Sequence, residues 1–402
     1  MKTLPKPNSQ QITWMRNIRR HLHRHPELAF AEFATAHFIA EQLRELGIPC
    51  REKVNRTGIV ASLGSRKKGA SCVALRADMD ALPITEQTGL PFASETPGVM
   101  HACGHDGHVA MLLGAAALLK QQEADLPGRV TLIFQPAEEG DGGAQGMIAQ
   151  GALDGVKAIF AGHIDRNYGL NEIVVQPGLI SAFTDEFAIE IRSRGGHAAK
   201  PHETADSILA AGQLITSIQS IVAREVHPCL PAVITVGAIH GGEAANVIAA
   251  QVILTGTVRA TSPETRAACI ASLKRMTKAM EQLHRVETSF ALVEGYPPVV
   301  NDPVAARIAT EVAAAIVGQD KVKCQPLPSL GGEDFSFFLQ KIPGCLVRFG
   351  ARHTELHDAP AHSPRFDFDE RVLPTGALFL AQTAVSALEH MAELGGPAPN
   401  KV

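Results

Sequence analysis

Short apolar runs alternating with stretches of helical periodicity constrain this chain most, because each run ends in side chains that can hold a cation. Residues 72–75, 130–134 and 158–161 read as buried strands, and residues 109–121 and 144–149 as helices. That β-α-β-α-β order predicts a mostly parallel sheet. Open sheets of this kind bind ligands in the crevice beyond the carboxyl ends of their strands. Here those ends carry RADMD, QPAEEG and AGHI, with HACGHDGH opening a helix and AHSP far downstream. Thiolate, imidazole and carboxylate are the donors that hold zinc and similar divalent ions, so their convergence predicts a two-metal hydrolase.

At 402 residues the chain exceeds the size at which one core usually stops growing, which predicts two domains. A formal net charge of −4, with no long block of like charge, gives no electrostatic reason to expect nucleic acid or a membrane as partner. A small-molecule substrate is the expectation. The seven cysteines are odd in number and scattered, unlike a secreted disulfide framework. MKTLPKPNSQQ has no apolar signal core, and no window has the unbroken apolar length of a membrane span, so the expected location is cytoplasmic.

Helical spacing predicts a first helix over residues 11–47, broken or kinked at Pro26 and stopped by Gly47 and Pro49. After Gly178 the pattern changes to strand 186–192, helix 205–222, strands 232–239 and 252–259, helix 262–283 and strand 287–293. This β-α-β-β-α-β order is ferredoxin-like. The predicted fold is therefore α/β, a mostly parallel central sheet with helices on both faces, plus an inserted ferredoxin-like α+β dimerisation or lid domain. The catalytic domain is expected over residues 1–184 and 295–402, and the insert over 185–294. Helix 303–317, a GGEDFSFF loop, strand 345–349 and helix 374–391 complete the first domain, and place His362 with its sheet.

Several residues carry candidate chemistry. Gly104 and Gly107 permit a tight turn that presents Cys103 and His105 to one point, although a buried thiol beside a helix cap is the blander reading. Glu138 and Glu139 are adjacent acids after a buried strand. They repel unless cations or separate tasks hold them, one as ligand and one as general base; a solvated acidic turn is the alternative. Asp78 and Asp80 either face the crevice, support a ligand histidine, or cap a turn. His163 and His362 read equally as ligands or as ordinary core and loop histidines. His101, His108, His353 and His357 compete with them, and spacing does not separate these. In GGHAAKPH, His197 can donate to an oxyanion if the insert closes over the crevice. Asn246 and Arg259 lie beside apolar strands in the insert, and the planar fork of arginine suits a substrate carboxylate.

In order along residues 19–370, RRHLHRHPELAFAE, RADMDALP, MHACGHDGHVAMLLGAA, FQPAEEGDGGA, GGHAAKPH, GTVRA, GGEDFSFF and HSPRFDFDE resemble a metal-dependent amidohydrolase/peptidase family. It includes hippurate hydrolases, N-acyl-amino-acid amidohydrolases and plant auxin-conjugate hydrolases. The resemblance implies Cys103 as a bridge between two divalent ions, zinc or manganese, with His105, Glu139, His163 and His362 as the other ligands. It implies Glu138 as the base acting on water, and Asp80 as support for the metal centre. Asp78 falls where distant relatives carry a histidine ligand. A homodimer is implied, in which His197 serves the neighbouring active site. The implied reaction is hydrolysis of the amide of an N-acyl amino acid; alternatives are a dipeptidase or carboxypeptidase, or a catalytically silent metal-binding relative. HIDRNYG replaces the family's more hydrophobic HVWP-like stretch, which suggests that Asp165 or Arg166 meets a polar substrate. GGEDFS replaces GSEDFS or GAEDFS.

Overall fold

The computed structural model describes residues 3–65, 67, 70–140, 142–352 and 359–395. The chain forms two compact units, one of Met1–Gly178, Val300–Pro326 and Asp334–Val402, the other of Leu179–Val299 and Leu327–Glu333. The second is wider at both ends than residues 185–294 and takes in a return segment that no sequence pattern marks.

The first unit is built on an eight-stranded sheet. Its order is Cys50–Val54, Gly58–Gly64, Arg129–Gln135, Cys72–Asp78, Ala158–Asp165, Gly344–Gly350, Ile173–Val174 and Val322–Lys323. The four central strands pair in parallel. Cys50–Val54 and Gly58–Gly64 add antiparallel to one side, and Ile173–Val174 runs antiparallel to Gly344–Gly350. The sheet is thus mostly parallel, since Val322–Lys323 also runs parallel to Ile173–Val174 at the other edge. The hairpin escapes sequence reading because CREKV has no apolar period and lies on the sheet edge, where one exposed face suffices.

The predicted first helix is two helices, Ser9–Arg24 and Phe33–Glu45. Pro26 has no N–H to continue the ladder, and the residue before it is pushed out of the α region, so the break is complete and not a kink. Asn8 and Gln11 form a capping box on the first helix. The second is capped from outside its own sequence neighbourhood, by the Glu27 carboxylate accepting from Ala34 N (3.1 Å) and Thr35 N (2.8 Å). The helix His105–Gln121 is buried almost throughout. A Cβ at Gly114 would sit 2.3 Å from Met15 Sδ and 2.8 Å from Ala377 Cβ, so glycine permits close helix crossings there. The segment Glu370–Glu393 is long and apolar enough to span a bilayer by composition, but 78% of its apolar window is buried inside the structure, as in a soluble core helix.

The second unit has a four-stranded antiparallel sheet, ordered Ala232–Gly241, Gln251–Ala260, Phe183–Arg192 and Glu287–Glu294. One face of it buries Phe187, Ile189 and Leu254 with Leu214 and Ile218 of helix Ser207–Arg224 and Leu273 of helix Pro263–His284.

One buried cation ties the N-terminal helix to the first unit. Arg19 donates to Asp106 (Nε, 2.9 Å), Asp367 (Nη2, 2.5 Å) and Glu370 (Nη1, 3.2 Å), with its guanidinium between the rings of Phe92 and Phe368. Burial pushes the Asp106 carboxyl up, but Arg19 and His23 outweigh it and hold that group below the carboxylate range. Removing Arg19 leaves buried carboxylates uncompensated. Arg19→Met is expected to cost about 3–5 kcal/mol at pH 7 by urea titration. A depressed carboxylate stabilises the fold above its unfolded pKa of about 3.9 and loses that contribution as pH falls toward its folded value. The gap between wild type and variant should therefore narrow in acid, and a gap independent of pH would contradict the assignment.

Candidate metal centre and active site

The candidate residues come from three strands, the start of one helix and one further loop. Asp78 closes the Cys72–Asp78 strand, and Asp80 follows it. Gly104, at φ +92°, turns the chain so that Cys103 precedes and His105 begins the next helix. Glu138 and Glu139 follow the Arg129–Gln135 strand. His163 lies within Ala158–Asp165 and not after it, because that strand continues to pair with Gly344–Gly350 as far as Asp165. His362 is not part of the sheet: it sits in the loop after Gly344–Gly350 with φ +66°, and its N–H donates to Ala102 O at 2.8 Å, beside Cys103.

These residues converge. Potential ligand atoms of Cys103, His105 and His163 lie within 4.8 Å of one another, as do those of Cys103, Glu139 and His362, and those of His105, Glu138 and Glu139. Cys103 Sγ is 3.5 Å from His163 Nε2, and His362 Nε2 is 3.1 Å from Glu139 Oε1. His105 Nε2 stands 3.8 Å from Asp78 Oδ1, 3.8 Å from Glu139 Oε1 and 4.0 Å from Glu138 Oε2, and has no hydrogen-bond partner among the described residues. A buried nitrogen without a partner, ringed by carboxylates, fits a place built for a cation.

The supporting bonds orient the imidazoles. His105 Nδ1 donates toward Asp80, 3.0 Å from its carbonyl and 3.2 Å from Oδ1, which leaves Nε2 for the centre. His163 Nδ1 donates to Ile164 O at 2.7 Å, so its Nε2 lone pair faces Cys103. Ile164 N–H donates to His108 Nε2 at 2.8 Å, which places the His108 proton on Nδ1, 2.6 Å from Asp78 Oδ1. Asp78 in turn accepts from Arg76 Nη1 at 2.5 Å. Arg76 also donates to Gln135 and Asp334, of which Asp334 belongs to the GGEDFS segment. Asp80 Oδ2 accepts from Glu139 N at 2.9 Å.

The electrostatics agree with a cation site. Burial lowers the His105 pKa, but Asp78, Asp80 and Glu139 outweigh it and raise the imidazole to about 10. Burial keeps His163 neutral, well below the usual histidine value, helped by His108 and Arg348. Burial, then Glu139 and Glu138, push the Cys103 thiol well up, so its thiolate needs a positive partner. Neutral imidazole and thiolate are the ligand forms, and cation binding displaces the protons otherwise held there.

The competing histidines separate. His108 is engaged with Asp78 and Ile164, and His101 is buried, with no hydrogen-bond partner on either ring nitrogen among the described residues; burial lowers it to about 4. His353 and His357 lie outside the described residues. Asp165 and Arg166, expected to meet substrate, have partners inside the unit: Asp165 pairs with Arg348 (3.4 Å), and Arg166 Nη1 donates to Ala359 O (2.6 Å). In the second unit, exposed His197 pairs with Val247, and Ala198 N donates to Asn246 O, so His197 and Asn246 are neighbours. Arg259 lies near the other end of the Gln251–Ala260 strand, half-buried. Sequence reasoning did not single out Arg76, Gln135 or Glu32. A polar residue inside an otherwise apolar strand was the available signal for Arg76.

The model of Peptidase family M20/M25/M40 matches residues 74–386. The chain belongs to this family, and is a hydrolase. It is 40% identical over 94% of its length to N-acetyl-L-cysteine deacetylase of Bacillus subtilis, covering 88% of that protein. It is 40% identical over 92% of its length to thermostable carboxypeptidase 1 of Saccharolobus solfataricus, covering 95% of it. A crystal structure of a dinuclear metal-binding M20 peptidase from Bacillus subtilis superposes with a TM-score of 0.82 at 36% identity, over 95% of this chain and 99% of that one. Divalent ions thus fit both the family and the donor set.

Cys103→Ser is expected to weaken metal binding by about tenfold or more in chelator competition, because a serine hydroxyl is hardly ever ionised. Wild-type affinity in that variant would remove Cys103 from the centre.

Proposed function

We propose that the chain hydrolyses the amide bond of N-acyl amino acids, with two divalent ions held by Cys103, His105, Glu139, His163 and His362. The observation that carries this reading is the division of labour in the acid pair. Glu139 stands between His105 and His362, whereas Glu138 approaches His105 and accepts from Asp334 N at 3.4 Å. Adjacent carboxylates so placed suit one ligand and one base. When bound, the ions supply Lewis-acid polarisation of the substrate carbonyl and make water a usable nucleophile near neutral pH. The thiolate favours zinc, while the carboxylate and imidazoles tolerate manganese.

Glu138 takes a proton from water and passes it to the amine nitrogen as the C–N bond breaks, giving a free carboxylate and a free amino acid. Ala199 N–H donates to His197 Nδ1 at 3.0 Å, so His197 carries its proton on Nε2, the form that can donate to an oxyanion. Arg259 suits the free carboxylate of the substrate, and Asn246, beside His197, suits a polar contact with it. Along a strand rising about 3.3 Å per residue, Arg259 and the His197–Asn246 pair are on the order of 20 Å apart. One small substrate cannot touch both ends within a single unit. A homodimer in which His197 and Asn246 serve the partner's active site would account for this separation. We read the second unit as a ferredoxin-like dimerisation and lid domain, a reading that its strand order supports. All seven cysteines are free, which suits a reducing, cytoplasmic setting.

The similarity to a carboxypeptidase supports a second reading, cleavage of unacylated peptides. A panel of N-acetyl, N-benzoyl and indole-acyl amino acids against dipeptides separates the two: higher kcat/KM on dipeptides overturns the first. Glu138→Gln should lower kcat by about a thousandfold with full metal content by elemental analysis; loss of metal with activity would make Glu138 a ligand. Co-expressed Glu138→Gln and His197→Ala chains, purified as a mixed dimer, should recover activity that neither parent dimer has. A mixed dimer as inactive as its parents, still dimeric and metal-loaded, would confine His197 to its own chain or to no role.

A further inference from the structure

The segment RRHLHRHPELAFAE has no task in the proposed reaction, yet its two acids do different things. Glu27 caps the helix Phe33–Glu45. Glu32, which immediately precedes that helix, makes no cap bond and is fully buried. Its Oε2 accepts from Thr57 Oγ1 at 2.6 Å and its Oε1 from Ala137 N at 2.9 Å. Ala137 is the residue before Glu138, and it has φ +53°, a left-handed conformation costly for alanine.

We propose that Glu32 is a positioning residue that sets the direction of the Glu138 carboxylate by holding the Ala137 peptide in its left-handed conformation. The proposal rests on Glu138 being the base. Ala137 is gripped at both ends of its backbone, since its carbonyl accepts from Gly143 N at 2.9 Å. One residue beyond Glu138, the Glu139 N–H is held by Asp80. Two buried carboxylates, Glu32 at the start of helix Phe33–Glu45 and Asp80 after the strand Cys72–Asp78, thus clamp the N–H groups on either side of Glu138. Were Ala137 to relax to negative φ, the following peptide would rotate and carry the Glu138 side chain away from His105. What the clamp needs is an acceptor oxygen toward Ala137 N. The opposite atom can be an oxygen or an amide nitrogen, since the Thr57 hydroxyl can donate or accept.

Four full-length, metal-loaded proteins test this: wild type, Glu32→Gln, Glu32→Ala, and Glu32→Ala combined with Ala137→Gly. Each is assayed on an N-acyl amino acid, analysed for metal and crystallised. Glu32→Ala should lower kcat by about 10- to 100-fold, the scale of a misplaced catalytic group, with KM and metal content near wild type. Its crystal structure should have Ala137 out of the left-handed region and the Glu138 carboxylate displaced. Glu32→Gln should keep most of the wild-type kcat. Glycine takes positive φ without steric cost, so Ala137→Gly should restore kcat in the Glu32→Ala background by about fivefold. Wild-type kcat in Glu32→Ala, an undisplaced Glu138, or equal losses in the Gln and Ala variants would each overturn the proposal. If Glu32→Ala does not fold, Glu32→Met replaces it, filling the same space without an acceptor for Ala137 N, with the same kcat loss and displacement expected; wild-type values of both overturn it. The crystal structures need no substrate. Displaced Glu138 with a wild type that cleaves no N-acyl amino acid sinks the substrate reading alone, and undisplaced Glu138 with an active wild type sinks the positioning alone.

Discussion

Buried negative charge organises the first unit. Asp78, Asp80, Glu138 and Glu139 come off two strand ends and approach one imidazole, His105, in a crevice with little water to screen them. Carboxylates placed this close are tolerated only where positive charge or donors are supplied. The chain supplies them unequally. Asp78 has the Arg76 guanidinium and His108, and Asp80 has His105 and the Glu139 N–H. Glu138 and Glu139 lie beside the place where Cys103, His105, His163 and His362 also converge, and positive charge there would stabilise both carboxylates.

Charge on the far side of the same loop holds the fold. His105 and Asp106 are adjacent at the start of one helix, one turned to the crevice and the other to Arg19 and His23 of the N-terminal helix. Because a helix places successive side chains about 100° apart, two neighbours serve different faces. The docking of Ser9–Arg24 and the position of a candidate ligand are thereby linked through a single peptide bond. A similar economy operates at Ile164, whose N–H holds His108 and whose carbonyl holds His163.

Legibility from sequence followed how local the cause was. The central strands and most helices were readable because apolar period and caps are local, and Pro303–Val317 was placed to the residue. Asp78, Asp80, Glu138, Glu139 and His163 were readable as candidates because each lies at or near the end of a strand whose hydrophobic run announces it, and Cys103 and His105 because Gly104 and Gly107 mark a tight turn into a helix. The finer facts were not. Whether Pro26 kinks or divides a helix depends on Glu27 reaching back to cap a new one, and the alternatives among His101, His108 and His163 depend on which nitrogen finds a partner. The edge hairpin has no apolar signature, and His362 reaches the centre by a backbone bond to Ala102 that no spacing encodes.

Glu32 illustrates the limit most clearly. In sequence it is one more acid before a helix, where a capping role is the natural assignment and favourable interaction with the helix dipole would explain it fully. The capping is done by Glu27 instead, five residues earlier, because the loop through Pro26 folds back over the helix start. That leaves Glu32 free to point inward, where a carboxylate is stable only with donors at both oxygens. It finds one on a hydroxyl and the other on a strained alanine next to the candidate base. Burying an acid and straining a backbone are each unfavourable alone. Together they satisfy each other: the strained peptide presents an N–H that needs an acceptor, and the buried acid needs that N–H.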